Sequence, residues 1–402
     1  MWMQLTKLTT IALALFGSAA IAQDSTKIHL DPIEINIIAN YYEQTGNHSP
    51  VTGGEGTETL NNIAPSIYVH VPLDSIRTLD VNGGVDFYSS ASSDNIDNPY
   101  VSSNHISGAS SGDTRGYLSV IYGKKNLKKN TSKSYMVGGS TEFDVISLST
   151  GFTFSKENKK KGRDFSISGK YFLDNWKLIY PVELRNGTNE YLALNKRHTV
   201  GLTLTESFIV NKRLKGAITV DGLGQFGLLS TPFHRVYMQN QEIAEIEILP
   251  ISRIKVPVGL RLNAYLGDRF IVRTFNRVYW DTWDVKAFTS ELEVVVKVTD
   301  WLKMYPLYRY HIQSQARYFA PYGVHTIGET FFTSDYDLSG FSAHKFGGGI
   351  DIAPLYGISR MKLGNKKLFL WKGVSLRYVN YLRSDGLKAW ALTAGFDFKI
   401  ER

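Results

Sequence analysis

The stretch that decides the fold runs over residues 253–266 and reads Arg253-Ile254-Lys255-Val256-Pro257-Val258-Gly259-Leu260-Arg261-Leu262-Asn263-Ala264-Tyr265-Leu266. Apolar side chains occupy every second position, and this period of two is the signature of a β-strand. A strand of a globular protein usually has about five or six residues, far fewer than this stretch. The sequence therefore predicts a long strand with one apolar and one polar face.

The same alternation recurs along the chain. Residues 286–299 and 389–400 repeat it clearly, the second with aromatic residues such as Trp390 and Phe398 on the apolar face. Twelve further segments show it more weakly: 66–71, 78–88, 114–122, 134–143, 146–155, 165–174, 198–210, 214–226, 269–281, 301–315, 344–353 and 368–383. Short turn clusters such as 211–213 and 384–386 separate them. Together these segments predict fifteen long strands joined largely by hairpins.

The first 22 residues have the pattern of a secretory signal peptide. Lys7 precedes an apolar stretch over residues 8–19, and Ala20-Ile21-Ala22 has the small-x-small form of a cleavage site. An N-terminal membrane anchor is the alternative, but the apolar run is shorter than the ~20 residues of a spanning helix. We therefore expect an exported protein.

The composition excludes several classes of protein. The 402 residues contain no cysteine, which removes disulfide frameworks, thiolate metal sites and a cysteine nucleophile. The net charge of +8 comes without a basic block typical of nucleic-acid binding, so no nucleic-acid partner is expected. A mean hydropathy of −0.17 excludes a bundle of membrane helices, although aromatic residues make up 13% of the chain.

Long alternating strands, short turns and an export signal together favour an all-β fold. We predict a single transmembrane antiparallel up-and-down β-barrel of about 14 strands, with 12–16 possible, because a sheet in lipid must close to satisfy its backbone groups. The predicted organisation is a signal peptide at 1–22, an N-terminal extension, periplasmic segment or plug at 23–65, and the barrel at 66–402. A secreted soluble β-sandwich or propeller is the alternative.

The polar faces of the predicted strands should line the lumen. Candidate ligand-binding residues there are Arg269, Arg273, Arg277, Arg309, His311 and Gln313. Glu291 and Glu293 lie on the intervening strand. Two arrangements are open: the charges pair across neighbouring strands, or the arginines face water and attract anions.

A Ser/Asp-rich stretch over residues 86–115 offers hard oxygen and nitrogen ligands. The candidate metal ligands are Asp94, Asp97, His105 and Asp113, which would suit Ca²⁺ or a divalent transition metal. The alternative is a loop held by its own side-chain-to-backbone turns. Apart from this candidate metal, no cofactor is expected.

Three ordered motifs resemble an uncharacterised bacterial family of outer-membrane proteins, a domain-of-unknown-function family. They are 46–58 (GNHSPVTGG with GTE), 89–115 (SSASSD, SGAS and DTR) and 309–339 (RYHIQ through TSDYDLS). The motif residues are His48, Ser90, Ser92, Asp94, Ser110, Asp113, Arg115, Asp335, Asp337 and Ser339. The resemblance implies an outer-membrane β-barrel and supplies no catalytic residues. It also implies periplasmic redox or flavin-related proteins as partners.

These observations predict a porin-like pore or transporter for a small solute or metal ion in the outer membrane of a Gram-negative-type bacterium. Its expected partners are outer-membrane lipid, lipopolysaccharide and the outer-membrane assembly machinery. A closed structural or scaffolding barrel acting through loops and envelope partners is the alternative. A barrel hydrolase using His48 or His311 is a third reading, but neither histidine lies in a catalytic motif, so we expect no enzyme.

Overall fold

The computed structural model describes residues 30–90, 112–185, 192–363 and 367–401. Its strands are β1 (Ile33–Thr45), β2 (Leu60–Pro72), β3 (Arg77–Ser90), β4 (Gly112–Asn126), β5 (Thr131–Thr141), β6 (Val145–Asn158), β7 (Arg163–Trp176), β8 (Lys196–Asn211), β9 (Leu214–Gly227), β10 (Arg235–Val236), β11 (Glu245–Ile246), β12 (Ser252–Leu266), β13 (Phe270–Asp281), β14 (Lys286–Lys297), β15 (Leu302–Gln313), β16 (Phe341–Ile352), β17 (Ser359–Leu363), β18 (Lys367–Arg383) and β19 (Lys388–Glu401). Helical turns in these ranges are the short 3-10 segments Pro50–Thr52, Val182–Leu184 and Tyr336–Leu338. Within the same ranges, no helix has the length and apolar character needed to cross a membrane.

Sixteen antiparallel strands form a closed barrel. Each pairs with its neighbour in chain order, β9 pairs with β12, and β16 pairs with β18. The ring closes where β1 pairs with both β19 and β2. The short β17 lies beside the first part of β18, and β10 and β11 form a separate small hairpin between β9 and β12.

The strand count is sixteen rather than about 14, at the upper end of the predicted range. Every one of the fifteen predicted segments overlaps a barrel strand, and the additional strand is β1. Residues 23–65 were expected to form an extension, periplasmic segment or plug, but the structure places 33–45 and 60–65 in the barrel wall. The alternation in β1 is broken by Ile38 and Tyr42, which share the lumen face with Asn36 and Asn40, and by Glu43 on the outer face. The predicted signal peptide lies outside the described residues.

The two faces of the wall differ in chemistry. Large apolar side chains stand exposed on the outer face, such as Ile63 at 53%, Leu148 at 61% and Leu202 at 47%. Polar side chains alternate with them, as where Thr203 donates a hydrogen bond to Asp221 across β8 and β9. An apolar exterior around a polar interior is the pattern of an outer-membrane-type β-barrel.

The two ends of the barrel differ in the length of their connections. At the end where Ile33 pairs with Ile400, most described turns are short: 73–76, 127–130, 159–162, 212–213, 267–269 and 298–301. The opposite end carries long connections at 46–59, 228–251 and 314–340, and the described parts of 177–195. We call these four segments the loop cluster.

The buried core lies at the loop end. Leu249, Trp283 and Phe319 belong to one buried apolar group, and two smaller groups centre on Ile246 and Val236. The described strands contribute mainly half-buried or exposed side chains, because one face meets the exterior and the other meets the lumen. The densest packing of this barrel is therefore in its loops.

Candidate functional site

Charged side chains concentrate on the inner faces of β12 to β18. We define the arginine wall as Arg261, Arg273, Arg277, Arg309, Lys345 and Arg377, together with Glu291 and Glu293 of β14. Arg273 pairs with Glu293 at 2.9 Å, and Arg309 pairs with Glu291 at 2.6 Å. The charge pairing expected between neighbouring strands is therefore present.

One contact shows that this wall faces the lumen. Arg377 on β18 reaches Glu293 on β14 at 3.2 Å, although β15 and β16 lie between those strands. Side chains on strands so far apart meet across the concave side of a curved sheet. Glu293 thus accepts hydrogen bonds from two arginines, Arg273 and Arg377. The arginine wall as a whole contains six cations and only two carboxylates.

Three cations of the wall form no ion pair within the described ranges. They are Arg261, Arg277 and Lys345. The guanidinium of Arg261 lies 5.1 Å from the centre of the Phe275 ring instead. A cavity of about 390 Å³ lies at this wall, with Arg261, Arg273 and Arg309 among its lining residues.

The predicted lumen residues divide into three positions. Arg273, Arg277 and Arg309 lie in the wall, whereas Arg269 lies exposed in the turn before β13. His311 lies on the same face of β15, where its Nδ1 is 2.9 Å from the Thr289 hydroxyl. Gln313 lies at the loop end of β15 and donates to the carbonyl oxygens of Asp337 and Ser339 at 3.0 and 2.8 Å. Gln313 therefore contacts the loop cluster.

The loop cluster crosses the mouth of the barrel. Arg235, whose side chain is fully buried, pairs with Glu183 of the β7–β8 loop at 2.5 Å. The same guanidinium donates to the carbonyl oxygen of Val51, in the β1–β2 loop, at 2.6 Å. Strands β3 to β6 separate those two loops around the ring, so they can meet only across the opening.

Two of the family-like segments meet in this cluster. The His48 ring stacks on Tyr336 with 3.8 Å between ring centres. A Cβ on Gly54 would lie 2.9 Å from the Ser334 carbonyl oxygen, and the φ of +93° also favours glycine. Close approach of the backbones thus explains a glycine in the first segment.

Arg383 fastens the cluster to the wall at the end of β18. It donates to the Asp337 carboxylate at 2.6 Å and to the Tyr336 carbonyl oxygen at 2.8 Å. It also pairs with Asp385 at 2.5 Å and lies over the Phe341 ring. The motif residue Asp335 caps the adjacent 3-10 turn, and the Ser339 hydroxyl donates to the Tyr336 carbonyl oxygen.

Three ionisable side chains, those of His234, Glu247 and Asp335, lie together deeper in the loop cluster. Glu247, 2% exposed, accepts from the Thr231 amide at 2.8 Å and from the Thr333 hydroxyl at 2.5 Å. Burial disfavours the charged form of His234, but the Glu247 carboxylate outweighs it and raises the pKa of His234. Burial, followed by the nearby Asp337 carboxylate, raises the pKa of Asp335 to about 6.

The predicted metal ligands Asp94, Asp97 and His105 lie outside the described residues, as do the motif residues Ser92 and Ser110. Ser90 ends β3. Asp113 is described, and it accepts a hydrogen bond from Tyr88 at 3.0 Å and lies near Glu142 and Asp144. Arg115 lies 3.9 Å from Asp86 across β3 and β4.

The histidines of the hydrolase hypothesis make other contacts. His48 Nδ1 is bonded to the Gly54 carbonyl oxygen at 3.0 Å. The Ser49 hydroxyl is buried without a hydrogen-bond partner, so within the described residues it shows no pairing with a general base. His311 contacts Thr289 and Gln313, and neither offers the carboxylate of a catalytic triad.

Several residues of the site were missed from the sequence. No local pattern marks these residues: Arg235, Glu247 and Arg383 contact partners 52, 86 and 46 positions away, and His234 contacts Glu247 13 positions away. A signal that could have located the cluster is the loss of alternation over 228–251 and 314–340, which are long for connections between neighbouring strands.

The family model for proteins of unknown function DUF3570 matches residues 5–354. The chain is a member of this family. No curated protein matches the sequence of this chain. A solved bacterial polysaccharide outer membrane secretin aligns over 94% of the chain and 100% of its own length, with 10% identity and a TM-score of 0.42.

Two further solved barrels align with the DUF3570 chain. The siderophore receptor PirA from Acinetobacter baumannii gives 9% identity and a TM-score of 0.43, over 89% of this chain and 54% of the receptor. The outer membrane protein opdK from Pseudomonas aeruginosa gives 7% identity and a TM-score of 0.40, over 91% of this chain and 98% of that one. The chain thus spans about half of the PirA receptor.

Proposed function

We propose that this DUF3570 protein is an outer-membrane channel for small anionic solutes, with its mouth covered by the loop cluster. The observation that carries the proposal is the arginine wall, where six cations face two glutamates on the lumen side. Unpaired cations on the inner face of a barrel raise the local concentration of anions and lower the barrier to their entry.

Several carboxylates on the opposite half of the lumen have partners: Asp174 pairs with Arg197 at 2.8 Å, and Asp86 lies 3.9 Å from Arg115. Asp221 accepts from the Thr203 hydroxyl at 2.5 Å. The pairs with Arg197 and Arg115 present less net charge to a passing solute than the unpaired cations of the arginine wall do, whereas Asp221 keeps its negative charge.

The proposed membrane location rests on the outer face of the barrel. The exposed apolar side chains of that face require a nonpolar surrounding, since water around them is unfavourable. We therefore place the barrel in the outer membrane of a Gram-negative-type bacterium, reached by a cleaved signal peptide and the assembly machinery. The expected periplasmic redox or flavin-related partners remain part of this proposal.

Ion selectivity in planar bilayers tests the proposal. In a KCl gradient, the full-length channel should show a reversal potential of anion-selective sign. The triple substitution Arg261→Gln, Arg277→Gln and Lys345→Gln should lower the anion-to-cation permeability ratio by on the order of threefold. Arg269→Gln removes one positive charge from an exposed turn and should leave that ratio unchanged. Cation selectivity, or a ratio unaltered by the triple substitution, would contradict the anion channel.

A closed scaffolding barrel is the second candidate function. The observation that favours it is the crossing of the mouth by loops anchored on Arg235 and Arg383. A complete absence of conductance, both in the native chain and in a variant with Arg383 replaced, would favour the scaffold over the channel.

A further inference from the structure

Three metal-ligand side chains converge inside the loop cluster. His234 and Glu247 flank the β10–β11 hairpin, and Asp335 comes from the loop between β15 and β16. One ligand atom from each of the three lies within 4.8 Å of the others. Two loops that are distant in sequence thus place an imidazole and two carboxylates at one point.

The spacing between two of these groups is that of ligands on one ion. His234 Nδ1 and Glu247 Oε2 are 3.4 Å apart, which is long for a charge-assisted hydrogen bond. Two donors on a tetrahedral ion, each bonded at ~2 Å, lie about 3.3 Å from one another. The ligand atom of Asp335 lies within 4.8 Å of those of His234 and Glu247.

In the part of the chain that the structure describes, the ion pairs of these carboxylates include no arginine, since that of Glu247 is with His234. Arg235 is next to His234 in sequence, but its described ion pair is with Glu183. Arg383 pairs with Asp337 and Asp385. Among the described residues Glu247 pairs only with His234, and Asp335 forms no ion pair. Glu247 is buried and Asp335 is half-buried, and carboxylates removed from water are costly unless a cation or a proton neutralises them, so the group favours binding of positive charge.

The surroundings of Glu247 hold its carboxylate in place. The Thr231 amide bonds to Oε1 at 2.8 Å and the Thr333 hydroxyl bonds to Oε2 at 2.5 Å. Outer contacts of this kind orient a ligating carboxylate and are a common part of metal sites in proteins. The Asp335 side chain is likewise oriented, because it accepts a hydrogen bond from the Asp337 amide at 2.9 Å.

We propose that His234, Glu247 and Asp335 bind one divalent transition-metal ion and that this ion ties the β9–β12 loop to the β15–β16 loop. The imidazole selects Zn²⁺ and its first-row neighbours over Ca²⁺, which takes oxygen ligands. Three protein ligands also leave a fourth position for water or an exogenous ligand. The proposal is independent of whether the lumen conducts.

Zinc titration of the full chain tests the site. The protein is purified in detergent without a polyhistidine tag, stripped with chelator and titrated with Zn²⁺ by calorimetry. The native chain should bind zinc, and Glu247→Gln and Asp335→Asn should each weaken that binding by at least about tenfold. Replacing zinc by Co²⁺ in the native chain should give the visible absorption of a nitrogen- and oxygen-ligated ion.

Matched variants control for the removal of a nearby carboxylate and for the other acidic group. Glu242→Gln and Glu245→Gln remove exposed carboxylates of the same β9–β12 loop and should keep zinc binding within about threefold. Glu142→Gln removes a member of the Asp113–Glu142–Asp144 group and reveals any zinc held there. Heat-modifiable gel migration shows which variants retain a folded barrel.

Three results would overturn the proposal. They are no zinc or cobalt uptake by the native chain, equal uptake by the native chain and both folded ligand variants, and loss of uptake only in Glu142→Gln. If neither ligand variant folds, the cobalt spectrum of the native chain decides, since an ion bound by oxygen alone lacks the imidazole contribution. Absence of uptake would mean that protons neutralise the group.

Discussion

A single buried guanidinium holds together loops that enter from distant parts of the ring. Arg235 is fully buried, pairs with Glu183 and donates to the Val51 carbonyl oxygen. Removing one partner of a buried ion pair leaves the other charge without compensation. Local sequence patterns do not identify such a residue, because both of these partners lie more than fifty positions away in the sequence.

We expect Arg235→Met to destabilise the loop cluster by about 3 kcal/mol, the usual cost of breaking a buried pair. The barrel strands should be unaffected. Native-state hydrogen exchange over residues 228–251 measures the change, and Arg213→Met, at an exposed turn of the opposite end, is the control. Unchanged exchange in the cluster would mean that Arg235 is not its anchor.

The same pair should make the cluster sensitive to acid. Burial alone would raise the pKa of Glu183, but hydrogen bonds from Arg235 lower it below the ordinary 4.5. Because the folded pKa is the lower one, the stabilisation is present above pH ~4.5 and is lost as the pH falls through the folded value.

Limited proteolysis of the loops between pH 6 and pH 3 measures this acid sensitivity. Cleavage should increase as the pH falls, and Glu183→Gln should flatten that part of the profile. A variant profile parallel to that of the native chain would assign the acid sensitivity to another group. Glu329→Gln serves as a control carboxylate in the neighbouring loop, where it contacts His325.

At the scale of the strand, alternation was enough to locate almost the whole wall. Each of the fifteen predicted segments overlaps a barrel strand because one face meets an apolar exterior and the other meets a polar lumen. The exception is β1, where Ile38 and Tyr42 lie on the lumen face and Glu43 lies on the outer face. Strand ends were less well placed, since pairing continues beyond the apolar layer, as in β2 from Leu60 to Pro72.

Because side chains alternate between the two faces, a charged substitution should destabilise the barrel more at an outward position than at the adjacent inward position. Leu202 points outwards near the middle of β8, whereas Thr203 points inwards beside Asp221. We expect Leu202→Arg to destabilise the barrel by about 2–4 kcal/mol in a bilayer. Thr203→Arg should cost less, because its guanidinium can pair with Asp221.

Urea unfolding in lipid vesicles, followed by tryptophan fluorescence, compares the two β8 variants with the native chain. A larger loss for Thr203→Arg than for Leu202→Arg would contradict the assignment of the two faces. Ser149→Arg, which replaces another inward position, provides a second lumen control on β6.

For the whole molecule, the strands of the barrel could be predicted from the sequence, but the contacts among the loops that cross its mouth could not. Arg273 and Arg309 were identified from their strand faces, and the structure pairs them with Glu293 and Glu291, whereas Arg277 forms no ion pair in the described ranges. The cluster around Glu247 depends on non-local contacts between 228–251 and 314–340. These loops have no sequence period that would indicate their partners, because their meeting point is set by the tertiary fold.

If the protein is a channel, the contact of Arg383 with the β15–β16 loop should control its opening. Arg383→Gln removes the ion pairs with Asp337 and Asp385. We expect longer and more frequent open events in single-channel recordings, because the loop is then less firmly held to the wall. Arg360→Gln, on the exposed segment β17, should behave as the native chain does. Identical open probabilities in all three proteins would show that this contact does not gate.

The pairing of β1 with β19 has a consequence for biogenesis. The seam of the cylinder joins strands from opposite ends of the described chain, so neither terminal half can form a complete ring. Until both meet, two rows of backbone donors and acceptors remain unpaired, and such edges invite aggregation. The barrel can therefore close only after β19 has been exported, and chaperones must shield both strand edges until then.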